Sequence, residues 1–316
     1  MTHPVWQAYR DEPPDWVDDL GSLGAGPFLT ILGLRASGVQ GEALYLRCHA
    51  ATGGCVAIAL GIHARRRFHL MRGEVHFPSV PVCAPGVSLP SLMSALLAAL
   101  DRERLRRVRI ESFDAAGASL EGIGDVRRRW EYRVPVRDAD AQRSALSAGH
   151  RRKVARGDRS GWRFEELYGG EAIRAMGAVK EGAASRARRR RRPLYGFGPA
   201  WDPGALVPTG EDRFGGSVWA VLDGDALLCA ATVIWAGERS FYVEGGSTPA
   251  GYAAAASHWM HVRVMEALGR VGVRMYNMGG APAGAREPEN PHFGLHRFKL
   301  GFGAHVVGVE GAVINL

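Results

Sequence analysis

The chain reads as α/β, of the α+β kind, with two tandem domains that each hold a mixed, mainly antiparallel sheet flanked by helices. Three observations predict this. The 316 residues exceed one core of ordinary size and suit two. Two distant stretches present the same order of elements, strand, strand, strand, helix, strand. They also correspond at a nearly constant offset, Gly54 with Gly224 and Val108 with Val273.

In the first half, residues 43–49 form a strand that reaches the turn Thr52-Gly-Gly54. Residues 55–62 and 67–72 continue the meander. A helix over 89–104, opened by Ser88 and Pro90, leads to a strand at 108–112. Residues 130–137 read as a strand. Asp138-Ala-Asp140 then caps a helix carrying residues 142–156, with its carboxylates at the end the macrodipole favours. A further helix over 171–188 ends in arginines. Residues 193–208, rich in Gly, Pro and aromatics, form a long loop of the sort that walls a substrate site. The second half repeats the pattern. A strand at 217–222 meets the hairpin signal Asp223-Gly224, strands follow at 226–235 and 240–244, a helix spans 252–268, and a strand covers 273–278. Residues 304–315 alternate as a closing strand.

Composition narrows the class. Forty basic residues against thirty-two acidic ones leave a formal charge of +8, which favours a polyanionic partner. The excess lies in runs at 65–67, 102–109, 127–129, 150–153 and 186–192. One such run reads as a solvated face, whereas five in one chain point to nucleic acid or a phosphorylated substrate. No apolar run approaches membrane-spanning length, and the start shows no basic-then-apolar signal pattern, so a cytoplasmic protein without a transmembrane segment is expected. The four cysteines lack C-x-x-C spacing and histidines in ligand register, so no metal is expected and free thiols are the default. Among forty basic residues only Lys153, Lys180 and Lys299 are lysines. Lys299, between Phe298 and a Gly-Phe-Gly turn, suggests a position that needs a compact ammonium.

Four segments in order carry a family resemblance: Leu146-Ser-Ala-Gly-His-Arg-Arg-Lys-Val-Ala-Arg156, the helix ending at Leu268, Tyr276-Asn-Met-Gly-Gly280, and Phe298-Lys-Leu-Gly-Phe-Gly303. Together they resemble the Fem family of acyltransferases. That family comprises aminoacyl-tRNA-dependent peptidyltransferases that build peptidoglycan cross-bridges, with relatives in other bacterial pathways. The element order of each half is similar to the GNAT-type acetyltransferase architecture. The resemblance implies two tandem GNAT-like domains, residues 1–140 on the acceptor side and 141–303 with the acyl-donor site, with 304–316 rejoining the first. It also associates the pair Phe298 and Lys299 with the acyl-tRNA terminus.

Acyl transfer to an amine needs a neutral nucleophile, a stabilised oxyanion and a carrier held so that the reacting atoms meet. Lys299 is the candidate for positive charge near the ester, and Phe298 for an apolar wall or a stacking face to a terminal base. The alternative makes Phe298 and Phe302 core residues flanking a turn with Lys299 in water, and for Phe302 the core reading is preferred. Tyr276 and Asn277, within the third motif, join the substrate-binding set. Arg151, Arg152, Lys153 and Arg156 line a helix on which Arg152 and Arg156 share a face. Those residues and the denser Arg188, Arg189 and Arg190 read as phosphate contacts or as solvated faces. Glu244, at a strand end, is the general-base candidate, with Asp114, His258 and substrate-assisted deprotonation as alternatives. Trp235, Tyr242, Trp259 and Tyr276 read as a stacking surface or, on ordinary burial preferences, as core.

The donor turns on the loop Glu244-Gly-Gly-Ser-Thr-Pro-Ala-Gly-Tyr252. Acetyltransferases that use coenzyme A place a Gln/Arg-x-x-Gly-x-Gly/Ala turn there to cradle pyrophosphate. This loop lacks that start and spacing, and Glu244 would repel a pyrophosphate. The expected function is an aminoacyltransferase that forms an amide by moving an aminoacyl group from charged tRNA to an amine acceptor, a peptidoglycan precursor or a natural-product intermediate. It would bind no cofactor and act as a monomer. The alternatives are an acyl-CoA-dependent N-acyltransferase on an amino sugar or small amine, and a catalytically silent binding relative.

Overall fold

The computed structural model describes residues 5–50, 53–64, 73–102, 105–115, 118–189, 191, 206, 214–282 and 284–316. The chain divides into two compact units, Met1–Trp130 with Gly308–Leu316, and Glu131–Val307. Unit 1 begins with β1 (Val5–Tyr9), α1 (Trp16–Ser22) and α2 (Ile31–Ala36), three elements absent from the sequence reading. Apolar anchors hold them: Trp16 is fully buried and donates its indole N–H to the carbonyl of Leu29 at 3.1 Å. β2 (Glu42–His49), β3 (Cys55–Ala64), β4 (Gly73–Phe77) and the short β5 (Val82–Cys83) follow, then α3 (Leu89–Arg102) and β6 (Leu105–Ile110). The strand expected at 67–72 lies outside the described residues.

β7 (Asp125–Pro135) leads into unit 2. There α4 (Ala139–Ala145), α5 (Ala148–Asp158), β8 (Arg163–Leu167) and α6 (Gly169–Arg189) come first. β9 (Phe214–Asp223), β10 (Ala226–Ala236), β11 (Arg239–Ser247), α7 (Pro249–Ala254), α8 (Ala256–Arg270) and β12 (Met275–Gly280) repeat the earlier order. α9 (Phe293–Leu300) and β13 (His305–Asn315) close the chain.

The duplication is present in the sheets. In unit 1, β1, β2, β3 and β4 pair antiparallel in sequence, β4 runs parallel to β6, and β6 takes residues 312–315 of β13 antiparallel. In unit 2, β8, β9, β10 and β11 pair antiparallel, β11 runs parallel to β12, and β12 takes β7 antiparallel. The parallel step is forced in each unit by the helical crossover, α3 in one and α7–α8 in the other. Each unit has its own core. That of unit 2 gathers Trp219, Trp235, Trp259, Tyr276 and Phe302, with Phe164 stacked on Trp219 and Trp219 on Trp235.

Three sequence expectations need correction. The helix over 142–156 is two helices, because Leu146 turns extended and buries while Ser147 caps α5 by accepting from the His150 N–H. The helix over 252–268 is α7 and α8, separated by Ala255 in the left-handed region at φ +58°. Phe298 and Lys299 stand on α9, not beside a turn. The turn begins after them at Gly301. Among the described residues no helix is long and apolar enough to cross a membrane.

Candidate active site

The site starts where two parallel strands part. β11 and β12 pair at Arg239–Met275, Ser240–Tyr276 and Phe241–Asn277, and the ladder stops there although β11 runs on to Ser247 and β12 to Gly280. Two irregularities coincide. The β10–β11 register shifts between Thr232 and Val233, and the β12–β7 register shifts between Asn277 and Gly280. Bulges bend a strand and re-aim its groups. The equivalent strands of unit 1 stay together. β4 and β6 pair through Phe77–Ile110, and bonds from Glu111 N to Phe77 O at 2.9 Å and Phe113 N to Pro78 O at 2.7 Å carry the pairing further. Among the described residues, the opened parallel pair is therefore in unit 2.

Lys299 collects the carbonyls at the end of β12. Its Nζ donates to Met278 O at 2.7 Å, Gly279 O at 3.1 Å and Gly280 O at 2.5 Å. Gly279 at φ +69° lets the three carbonyls converge, a conformation that disfavours other residues. Behind them, Asn277 accepts from the Gly279 N–H at 2.9 Å and donates to Glu131 Oε2 at 2.8 Å, and Arg133 donates to the same oxygen at 3.3 Å. Glu131 and Asn277 are fully buried and Lys299 is 5% exposed. Burial pushes the Lys299 amine down to about 7, with Glu131 pulling it back up. Three acceptors match the three protons of an ammonium, which a planar guanidinium would not reproduce. That is a physical reason for a lysine here in a chain otherwise built on arginine.

A cluster of imidazoles and phenyl rings lies beside it. Phe298 packs against His258 at 5.0 Å, His261 at 5.6 Å and Phe302 at 5.1 Å between ring centroids. His150 uses both ring nitrogens, one with Ser147 Oγ at 3.0 Å and one with Phe298 O at 2.9 Å. His258 bonds Ala255 O through Nδ1 and faces Lys153 Nζ through Nε2 at 3.1 Å, so Lys153 is the donor. His261 Nδ1 lies 2.9 Å from the Tyr276 hydroxyl. Burial pushes His258 and His261 down to about 3, His258 with help from His150 and Lys153. All of these rings are neutral at physiological pH.

The expected site residues separate into two groups. Lys299 and Phe298 meet at the opened strand end. Tyr276 and Asn277 are fully buried and shape that end from within. Trp235, Trp259 and Phe302 are core. Glu244 is buried inside β11, which continues to Ser247, so it loses the strand-end position that suggested a general base. Its charge instead raises the Tyr242 phenol, already pushed up by burial. Asp114 is buried in unit 1. Among the arginines, Arg151 donates to Ser144 O and Leu146 O, closing the end of α4, and Arg156 donates to Ala254 O at the end of α7. Arg152, Arg188 and Arg189 are exposed, and Arg190 lies outside the described residues. The sequence reading missed Glu131, Tyr132, His261 and His296. Helical spacing could have flagged two of them, because His261 follows His258 and Lys299 follows His296 by three residues, one face in each case.

The turn from β11 into α7 is filled by its own chain. Thr248 N donates to Leu228 O at 2.9 Å, and the Thr248 hydroxyl accepts from Gly251 N at 3.1 Å. Pro249 has no N–H, and Tyr252 N donates to Thr248 O. Arg186 of α6 closes on Ser247 O at 2.6 Å and lies 4.8 Å over the Tyr252 ring. Gly251 packs so tightly that an added Cβ would lie 1.8 Å from Leu228 O. A nest of free N–H groups of the kind that holds a pyrophosphate is thereby largely consumed.

Residues 144–299 match the family model described as an acetyltransferase (GNAT) domain, and this part of unit 2 is a domain of that class. The whole chain has the Fem-type fold. It aligns with the crystal structure of FemX at TM-score 0.72 and 12% identity, covering 98% of this chain and 97% of that one. It also aligns with the C-terminal domain of a putative lysylphosphatidylglycerol synthetase from Agrobacterium fabrum at TM-score 0.57 and 15% identity, covering 95% and 90%. L-PGS from Bacillus licheniformis aligns at TM-score 0.57 and 13% identity, covering 96% and 93%. At such identities the likeness is one of fold. No curated protein sequence matches the chain.

Proposed function

We propose that this protein is an aminoacyltransferase that moves an aminoacyl group from charged tRNA to an amine and forms an amide. The observation that carries this is the self-filled turn between β11 and α7. In a GNAT-type domain it leaves few backbone N–H groups for the pyrophosphate of coenzyme A. A polynucleotide carrier needs no such nest, because side-chain charges hold its phosphates. Arg152, Arg188 and Arg189 are exposed for that task. The amine attacks the ester carbonyl, a C–N bond forms, and the ribose oxygen departs. Lys299 serves by setting the shape and charge of the strand end that the ester meets, and Phe298 by walling it. No bound cofactor is required, and the acceptor is a small molecule or peptide. Acting alone in the cytoplasm, the enzyme would meet both substrates.

The test supplies a pool of aminoacylated tRNA and a panel of amines, with and without ribonuclease. Transfer should vanish on ribonuclease treatment. Transfer that survives and follows acetyl-CoA instead would establish the acyl-CoA enzyme, the reading that the GNAT description favours. A second expectation concerns salt. The double variant Arg188→Glu/Arg189→Glu should weaken tRNA binding and flatten the log–log salt slope by about 1.4–1.8, the release of two phosphate contacts. An unchanged slope in filter binding would remove this segment from the tRNA interface.

A further inference from the structure

Tyr132 of β7 and His296 of α9 meet beside Lys299, and neither is among the expected site residues. The Tyr132 hydroxyl lies 2.8 Å from His296 Nδ1, with ring centroids 5.7 Å apart. Tyr132 is fully buried, and its ring centroid is 5.3 Å from Lys299 Nζ. His296 and Lys299 stand three residues apart on α9, so they share a face, and that face meets the open end of β12. His296 is half-buried.

Other imidazoles near Lys299 are committed elsewhere. His150 spends both nitrogens, His258 accepts from Lys153, and His261 is 3% exposed with Tyr276 on one nitrogen. His296 differs because its one assigned bond is to the buried phenol, which fixes the ring, and its side chain is only half-buried. The accepting tautomer is the one in which Nδ1–H donates to the phenol oxygen and Nε2 carries the lone pair.

We propose that His296 is the proton acceptor for the attacking amine and Tyr132 its positioning residue, an inference that rests on the aminoacyl-transfer reading. The amine nitrogen bonds to the ester carbon while the carbonyl π pair moves onto oxygen. The nitrogen gives its proton to His296 Nε2. Collapse of the intermediate breaks the bond to the ribose oxygen, which leaves with its electron pair and takes the proton back from the imidazolium. Ester and amine become amide and ribose hydroxyl, and no oxidant or further reactant is needed. The charged groups around the ring favour the neutral, accepting form: burial lowers its pKa first and Arg286 lowers it further. Lys299 lies one turn along the helix, and buried Glu131 lies behind Lys299. Tyr132 is itself pushed up by burial, so it remains a phenol and keeps the ring bond across the neutral range.

His296→Gln keeps a hydrogen-bonding side chain and cannot take a proton, so kcat should fall roughly a hundredfold with KM for the amine little changed. Tyr132→Phe should lower kcat less, about tenfold, and move the acid limb of the pH profile, a change that packing loss alone would not produce. In His296→Ala, added imidazole should restore part of the rate. Thermal unfolding and tRNA filter binding on each variant verify that fold and carrier binding persist. Wild-type rates with an unmoved acid limb in His296→Gln and His296→Ala would overturn the inference while leaving the tRNA-dependent reaction intact. Wild-type protein with no ribonuclease-sensitive transfer would overturn both.

Discussion

Lys299→Met should lose both stability and transfer. Methionine matches the length of the chain but donates nothing, so the carbonyls of Met278, Gly279 and Gly280 lose their shared donor. Unsatisfied buried acceptors cost about 1–3 kcal/mol each, partly recovered if water enters, so a loss of roughly 3 kcal/mol is expected. Glu131 is left as a buried carboxylate with Arg133 and Asn277 but without the ammonium. The paired change Glu131→Gln/Lys299→Met should therefore cost less than the sum of the single changes, and denaturant unfolding of the four proteins measures the coupling. Linkage adds a signature. The folded-state amine sits near 7, below its ordinary 10.5, so between those values the unfolded chain binds more protons. Stability of the wild type relative to Lys299→Met should rise with pH across that window, the sign that follows from relief of a buried charge. A flat difference between pH 7 and 10 would show that the ammonium is not displaced from its ordinary range.

Gly251→Ala should be the most disruptive single methyl in unit 2. The new Cβ would lie 1.8 Å from Leu228 O and 2.4 Å from Leu228 C, main-chain atoms of β10 that no rotamer change can move. α7 must lift, and with it go the bonds from Thr248 N and Thr248 Oγ1 to Leu228 O and Leu227 O. Overpacking of this kind costs about 3 kcal/mol or more. Gly177→Ala is the matched control. Gly177 is exposed within α6 and its Cβ would meet nothing within 4 Å, so that change should stabilise by about 0.5–1 kcal/mol through helix propensity. Chemical denaturation of both variants separates the outcomes. Equal effects would mean that the β10–α7 contact is looser than its geometry.

The sequence by itself determined the tandem order of elements. Gly54 and Gly224, Val108 and Val273 mark equivalent turns and strands because hairpin chemistry and alternation are local properties, readable without neighbours. It also singled out Lys299, since one compact ammonium in an arginine-rich chain is a compositional signal. What Lys299 does was decided only by tertiary structure. Its three partners are main-chain carbonyls, which carry no sequence signature, and they converge because two register shifts and one left-handed glycine coincide there. Glu131 and Tyr132 were invisible for the same reason, and the spacing of His296 from Lys299 did not show that it meets Tyr132. Glu131 and Tyr132 stand on β7 and His296 on α9, and only the β7–β12 pairing and the seating of α9 bring them to one place. Tyr276 and Asn277 were read from a motif and Glu244 from an expected strand end; that all three are buried, and that β11 runs on to Ser247, are properties of the packed sheet that no local pattern shows.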